Sequence, residues 1–185
     1  LVQAVASRSK GLFHGSHQSG DPVRNNSIEF VTIASAGIDA TDFGDLTEEG
    51  HGYNSGSGNG TRGIFSIMST SADTTNNIIN YVTIAQNGNA LDFGDLTIGA
   101  YARKGNVASP VRSCWAGGTA TPVTSNVIDY IMISTTGNAA DFGDLTQASR
   151  EGTGCANWIR GFYFAGSGGT DNQIEAITIA TLGNA

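Results

Sequence analysis

The residues of this chain best suited to chemistry are six aspartates that recur in pairs. Each pair lies in an identical hexapeptide, Asp-Phe-Gly-Asp-Leu-Thr, and the six are Asp42, Asp45, Asp92, Asp95, Asp141 and Asp144. Carboxylates repeated in this way could form a ring that binds Ca²⁺ or faces a channel. They could also close tight turns through backbone hydrogen bonds, with the intervening glycine at positive φ. Because a ligand site is usually built once and not once per repeat, we favour the structural role.

A basic residue also recurs, each time ahead of a short apolar run. The four bases are Lys10, Arg62, Arg112 and Arg160. Such a row could line a surface that binds sugar or phosphate groups. We favour a different interpretation, in which each base pairs with a repeated acid of the same or the next repeat.

The remaining reactive side chains form no constellation. His14 and His17 are close in sequence, but neither they nor His51 have an evident third partner for a metal site. Cys114 and Cys155 are too few for a disulfide scaffold, and we expect two buried free thiols in preference to a bridge. Catalytic triads, nucleophile elbows, phosphate loops and metalloprotease motifs are all missing. The sequence therefore predicts a protein that is not an enzyme and needs no metal or cofactor.

The elements that position these residues belong to one unit repeated along the chain. Copies of the hexapeptide begin at Asp42, Asp92 and Asp141, which is a period of 50 and then 49 residues. An Asn-x-Ile segment precedes each copy, and a fourth such segment leads to Gly183-Asn184-Ala185. The approximate units of this single domain, 1–185, are 1–46, 47–96, 97–145 and 146–185.

Composition and patterning predict an all-β fold. The chain has 26 glycines and only 14% charged residues, against about 25% in typical domains, which is the composition of short strands and turns. In the Asn-x-Ile segment, Ile28 and Phe30 alternate with Val31 and Ile33, so both faces are apolar and both must be covered. Radially stacked sheets achieve this. We therefore predict a β-propeller-like array of four repeats, with a solenoid as the alternative.

The ends of the chain fall inside the repeat. Val5-Ala6-Ser7 matches Val107-Ala108-Ser109, and the C-terminus lies just before the position of a fourth hexapeptide. Four blades with an incomplete seam, a piece of a longer array, and several chains that complete one another would all fit. We expect a fragment or an assembly, because an open sheet edge invites pairing.

Charge and hydropathy exclude two classes of partner. A net charge of −7 disfavours nucleic acid, and no apolar run is long enough for membrane insertion. The segments Glu48–Asn59, Lys104–Val111 and Glu151–Asn157 differ most between repeats, so we expect contacts there. The candidate contact residues in and beside these loops are His51, Tyr53, Arg103, Lys104 and Trp158. Trp158 could stack on a sugar ring if exposed, although core packing is the interpretation we favour.

The segment Asn126–Thr146 resembles a repeat of kelch-like structural proteins of tailed phages, especially marine ones. The Arg-Gly strands at Arg62 and Arg160 are similar to the strand that begins the next repeat in that group. This resemblance implies a tail-fibre, spike or capsid-fibre protein in the virion that contacts host surface glycans or other virion subunits. The expected state is a homo-oligomer or part of a large assembly. A lectin-like extracellular module outside any virion is the alternative.

Overall fold

The structure is a computed structural model that describes residues 2–15, 25–35, 39–50, 55–67, 75–103, 105–120, 122–164, 166–167 and 172–185. Throughout these residues the regular structure is β-strand, and no helix occurs. No segment in this part of the chain could cross a membrane as an apolar helix. The all-β prediction is therefore confirmed.

Seventeen strands follow one another in the described chain. They are β1 (Val2–Ala6), β2 (Lys10–Gly15), β3 (Asn25–Thr32), β4 (Thr41–Gly50), β5 (Ser55–Gly58), β6 (Arg62–Ile67), β7 (Ile78–Thr83), β8 (Leu91–Asp95), β9 (Gly105–Ala108), β10 (Arg112–Ala116), β11 (Thr119–Ala120), β12 (Val123–Thr124), β13 (Val127–Met132), β14 (Ala140–Asp144), β15 (Thr153–Ala156), β16 (Arg160–Phe164) and β17 (Ile174–Thr178). The Asn-x-Ile segments and the hexapeptides both form strands.

These strands build four antiparallel sheets and one small hairpin. Sheet 1 has the order β1-β2-β3-β4, sheet 2 has β5-β6-β7-β8, and sheet 3 has β9-β10-β13-β14. Sheet 4 has three described strands, in the order β15-β16-β17, while β11 and β12 form the hairpin within sheet 3's sequence. Each sheet is a simple up-and-down arrangement because neighbours in sequence are neighbours in space. The hexapeptide supplies the last strand of sheets 1 to 3.

Apolar side chains fill the space between successive sheets in three clusters. We call the face of a sheet that is turned to the next sheet its front face, and the opposite one its back face. The clusters are Leu12, Ile28, Phe43 and Leu46 with Phe65, Val82 and Ile84; Ile64, Ile79, Phe93 and Leu96 with Trp115, Ile131 and Ile133; and Cys114, Ile128, Phe142 and Leu145 with Tyr163, Ile177 and Ile179. In each cluster, a front face packs on the following sheet's back face.

Strand β7 shows why the Asn-x-Ile segment is apolar on both sides. Ile79 points forward into the cluster with sheet 3, while Val82 points back into the cluster with sheet 1. Both side chains are buried, as the two-faced pattern predicts. The burial of β7 on both faces ties sheet 2 to sheets 1 and 3.

Candidate functional site

The repeated bases connect successive sheets through oxygen atoms of the backbone and of an amide. Arg62 Nη1 donates to the Ile133 carbonyl oxygen at 3.1 Å, and Arg112 Nη1 donates to the Ile179 carbonyl oxygen at 3.0 Å. Lys10 Nζ donates to Asn87 Oδ1 at 2.7 Å. All three acceptors lie in the next sheet's repeat. This corrects the expected pairing with a repeated acid: the described acceptors of these three bases are uncharged.

The same cations also lie over aromatic rings of their own sheets. The distances from cation to ring centroid are 4.7 Å for Lys10 and Phe30, 4.7 Å for Arg62 and Tyr81, 4.8 Å for Arg112 and Tyr130, and 5.2 Å for Arg160 and Phe162. Such contacts stabilise a partly desolvated guanidinium or ammonium. Three of these bases are half-buried and used between sheets, whereas Arg160 is exposed. Lys10, Arg62 and Arg112 therefore join neighbouring sheets and do not form an open row for sugar or phosphate.

The aspartate pairs lie in a bulged strand and do not form tight turns, which corrects that expectation. Asp92 Oδ1 accepts a hydrogen bond from the Gly94 N–H at 3.2 Å, and Asp141 Oδ1 accepts one from the Gly143 N–H at 3.1 Å. The pairing register of β7 with β8 shifts at this point. The positive φ predicted for the glycine is confirmed, at 139° for Gly94. Within the described residues, no group of three or more His, Cys, Asp or Glu side chains could hold a metal ion.

The glycine of the hexapeptide makes room for the next repeat. A Cβ on Gly94 would lie 2.5 Å from the Gly137 carbonyl carbon. The backbone N–H groups of Gly137 and Ala139 donate to the carbonyl oxygens of Phe93 and Asp95, both at 2.7 Å. The Gly-Asn-Ala segment therefore pairs with the preceding sheet's last strand. The sequence shows that the Gly-Asn-Ala segment recurs, but it does not show that the segment pairs with the preceding hexapeptide strand.

A third contact between sheets begins at the hexapeptide threonine. The Thr47 N–H donates to Asn80 Oδ1 at 2.8 Å, and the Thr146 hydroxyl donates to Glu175 Oε1 at 2.6 Å. Asp129 occupies the equivalent position in sheet 3 and accepts a hydrogen bond from the hydroxyl of Thr97. The residue that follows the repeated isoleucine of one sheet thus hydrogen-bonds to the threonine of the preceding sheet's hexapeptide.

Arg103 belongs to this buried contact, which corrects its expected role at a binding surface. Its Nη2 lies 3.0 Å from Asp129 Oδ2, and both side chains are almost completely excluded from solvent. Burial lowers the pKa of Arg103 and raises the pKa of Asp129, while the attraction between the two charges opposes both shifts. The ion pair is thus buried inside the protein and does not reach the described surface.

The other predicted reactive residues are dispersed. His51, Tyr53, Lys104 and His17 lie outside the described residues. His14 is buried, with Nδ1 3.0 Å from the Ser27 carbonyl oxygen, and burial lowers its pKa. These groups do not assemble a reactive site in the part of the chain that the structure describes.

The two cysteines are free and differ in environment. Cys114 is buried, and burial raises the pKa of its thiol to about 12. Cys155 is exposed, so the expectation of two buried thiols is wrong for that residue. The sequence does not reveal that Cys155 is exposed, because valines at the equivalent position of other sheets, Val5 and Val107, are buried.

Four equivalent turns join the first two strands of the sheets, and the fourth carries Trp158. In each turn an oxygen of a Ser or Asn side chain accepts hydrogen bonds from backbone N–H groups two and three residues later, at Ser7, Asn59, Ser109 and Asn157. The residues at the tips are Arg8, Gly60, Pro110 and Trp158. Asn157 Oδ1 fixes the last turn through the Ile159 N–H at 2.8 Å.

Trp158 is the most exposed large hydrophobic residue on the described surface. Its exposed fraction is 82%, and Ile159 beside it is exposed as well. The favoured prediction of core packing is therefore wrong for Trp158, and the exposure required for stacking on a ligand is present. Trp is the side chain most often found at energetically dominant contact points. We call Trp158 and Ile159 the tip patch.

Polar atoms also line a shallow cavity of about 270 Å³ beside the repeated base of sheet 2. Its walls include Arg62, Tyr81, Gln86, Asn87 and Asn89. Ligand pockets are usually larger, about 300–1,000 Å³, and more apolar. This cavity is therefore secondary to the tip patch.

Models of known protein families and the sequences of curated proteins give no match to this chain.

Proposed function

We propose that this chain is a non-enzymatic structural and adhesion protein of a virion, of the tail-fibre, spike or capsid-fibre type. Its sheets would serve as blades of a propeller-like array, and its location would be the virion surface. The observation that carries the proposal is that two separate sets of residues make the contacts between sheets and form the exposed surface. Repeated polar side chains bind neighbouring sheets, and the large exposed aromatic side chain, Trp158, is unique to one repeat.

A scaffold role is supported by the contacts between sheets. Arg62 and Arg112 bridge equivalent junctions at nearly equal distances, and Gly-Asn-Ala segments pair with the hexapeptide strand at three successive junctions. Each junction thus repeats the same hydrogen bonds together with an apolar cluster. Stability in such arrays comes from contacts between adjacent repeats, which suits a rigid, extendable particle component.

An adhesion role is supported by the tip patch. Trp158 presents a flat apolar surface with an indole N–H, a combination that suits stacking on a sugar ring or anchoring in a protein pocket. Weak binding at one such site would be strengthened by many copies on one particle. The same exposed Trp also fits a lectin-like extracellular module, which is the second candidate.

Fractionation of the native source material separates these two candidates. An antibody against the chain would be used to follow it through a density gradient, alongside electron microscopy of each fraction. We expect the protein in fractions that contain assembled particles. Its recovery only in slowly sedimenting, particle-free fractions would reject the virion role and leave the lectin-like module.

Removal of the exposed indole tests the adhesion role. Trp158→Ala is expected to weaken binding to host cells or host glycans at least tenfold, since anchor residues contribute about 2 kcal/mol or more. Its melting temperature should stay unchanged because the side chain packs on little else. Val111→Ala, an exposed site at the equivalent turn of sheet 3, is the matched control. Equal binding by both variants would remove Trp158 from the contact.

A further inference from the structure

Sheet 1 exposes apolar positions of its back face that the other sheets bury. Phe13 is 37% exposed, whereas its equivalents Phe65, Trp115 and Tyr163 are fully buried. Ile33 is 53% exposed, whereas Ile84, Ile133 and Ile179 are buried. The back face of sheet 1 therefore has the composition of a contact surface.

Sheet 4 exposes the opposite kind of face. Ile174 is 64% exposed, whereas Ile28, Ile79 and Ile128 at the same position are fully buried against the next sheet. Arg160 is also exposed, whereas Arg62 and Arg112 each reach a carbonyl oxygen of the next sheet. The front face of sheet 4 therefore carries the features that bind a back face elsewhere in the molecule.

Each internal junction also contains one close contact between the same two repeat positions. Val5 lies against Gly63, where a Cβ would be 3.6 Å from the Val5 Cβ, and Val107 lies against Gly161, where the corresponding distance would be 3.0 Å. At the middle junction, Ser57 Oγ is 2.7 Å from Ser113 Oγ. In each case the side chain two residues before the turn contacts the residue after the repeated base of the next sheet.

The same two positions lie at the outer faces, where the first is exposed and the second is buried beneath the Phe13 ring. Cys155 occupies the first position in sheet 4 and is exposed, and Gly11 occupies the second position in sheet 1, directly after Lys10. The ring of Phe13 lies 3.4 Å from the place where a Cβ on Gly11 would stand. A docked partner would therefore need Phe13 to rotate, and its exposure leaves room for that.

We propose that the front face of sheet 4 in one copy binds the back face of sheet 1 in a second copy. Cys155 would then lie on the second copy's Gly11, and Arg160 would reach its Ile33 carbonyl oxygen. The contact joins two different faces, so it is heterologous and can continue from copy to copy. The contact would use the three described strands of sheet 4. It would not include the backbone hydrogen bonds that the Gly-Asn-Ala segments make to the last strand of the other sheets. The proposal rests on the assembly role given above and names its partner and surfaces.

A disulfide trap tests this geometry. In Gly11→Cys, the new thiol should face the native Cys155 of another copy, since the equivalent Cβ separation between Val5 and Gly63, 3.6 Å, suits a disulfide. Mild oxidation is expected to give a ladder of multiples of 19.0 kDa on a non-reducing gel. The ladder should vanish on reduction and in Gly11→Cys/Cys155→Ser.

Two further variants calibrate the trap. Val5→Cys/Gly63→Cys, in a Cys155→Ser background, should form a disulfide within one chain and so proves the oxidation conditions. Val123→Cys adds an exposed thiol on the β11–β12 hairpin, away from both faces, and should give no ladder. A disulfide in Gly11→Cys that joins the two sites of a single chain would mean that the faces meet in a closed ring. That result, or no disulfide while the calibration pair forms, would overturn the proposal.

A measurement without cysteine chemistry covers the case in which Gly11→Cys does not fold. Ile33→Asp, at an exposed position of the back face, should lower the weight-average mass in solution to that of a monomer. Val123→Asp should leave the mass as in the unaltered chain. Equal masses for the two variants would overturn the proposal. Particle fractionation reports separately on the virion role, so a trapped ladder without particles would reject that role and retain this interface.

Discussion

His14 is a buried base whose environment opposes its charge. Burial lowers its pKa below the ordinary value of 6.5, and the hydrogen bond to the Ser27 carbonyl oxygen only partly offsets this. The folded state therefore binds fewer protons than the unfolded state once the pH falls to about 6.5. Stability contributed by neutral His14 is present above that pH and is lost as the pH falls towards the lowered folded pKa.

The substitution His14→Gln should remove this loss. Urea unfolding at about pH 8 and about pH 5 is expected to show a smaller drop in the free energy of unfolding for the variant than for the unaltered chain. Asp129, whose pKa is raised, is present in both proteins and cancels in the comparison. Parallel pH dependence in the two proteins would show that His14 does not titrate on unfolding.

Gly94 illustrates how a single residue serves two repeats at once. Its φ of 139° suits glycine, and its missing side chain admits the Gly137 carbonyl group. Gly94→Ala should cost more than the roughly 1–3 kcal/mol expected for backbone strain alone. The matched control is Gly137→Ala, which has a φ of 151° but no described atom within 4 Å of an added Cβ. Thermal unfolding that gave equal losses would argue against the close approach.

At the scale of elements, the hexapeptide strand packs its apolar side chains against the next sheet. Phe93 is buried in the cluster between sheets 2 and 3, and its ring meets Tyr81 edge-on at 5.9 Å. Phe93→Ala should lower the free energy of unfolding by about 3–5 kcal/mol, as truncation of a core aromatic does. Leu91→Ala, two residues earlier in β8 and 58% exposed, should change it by no more than about 0.5 kcal/mol. Similar losses in chemical denaturation would contradict the packing of this strand.

Sequence patterns identified these elements but not their polar partners. The two-faced isoleucine segment predicted strands covered on both sides, and Ile79 and Val82 fill separate clusters. The repetition of bases and acids favours pairing between them, yet Arg62 reaches a backbone oxygen 71 residues away. A carbonyl oxygen carries no sequence signature, so such a partner becomes visible only once the sheets are placed. Trp158 is exposed because it lies at the tip of its turn, a position that is exposed in all four sheets.

At the scale of the whole molecule, the four sheets follow one another with the same contacts between them. Arg103 and Asp129 show how one junction is locked, since their side chains meet in a buried ion pair 26 residues apart in sequence. The outer faces of sheets 1 and 4 carry the same kinds of residue as the faces that meet at those junctions, but here these residues are exposed. A molecule built in this way is suited to extension by further copies, and the tip patch on its last sheet is suited to contact with other surfaces.

The mass of the purified chain in solution, measured by light scattering over a wide concentration range, tests this account most directly. We predict a weight-average mass that exceeds 19.0 kDa and rises smoothly with concentration. A constant mass of one chain at every concentration would contradict the account, because the exposed faces would then serve no assembly.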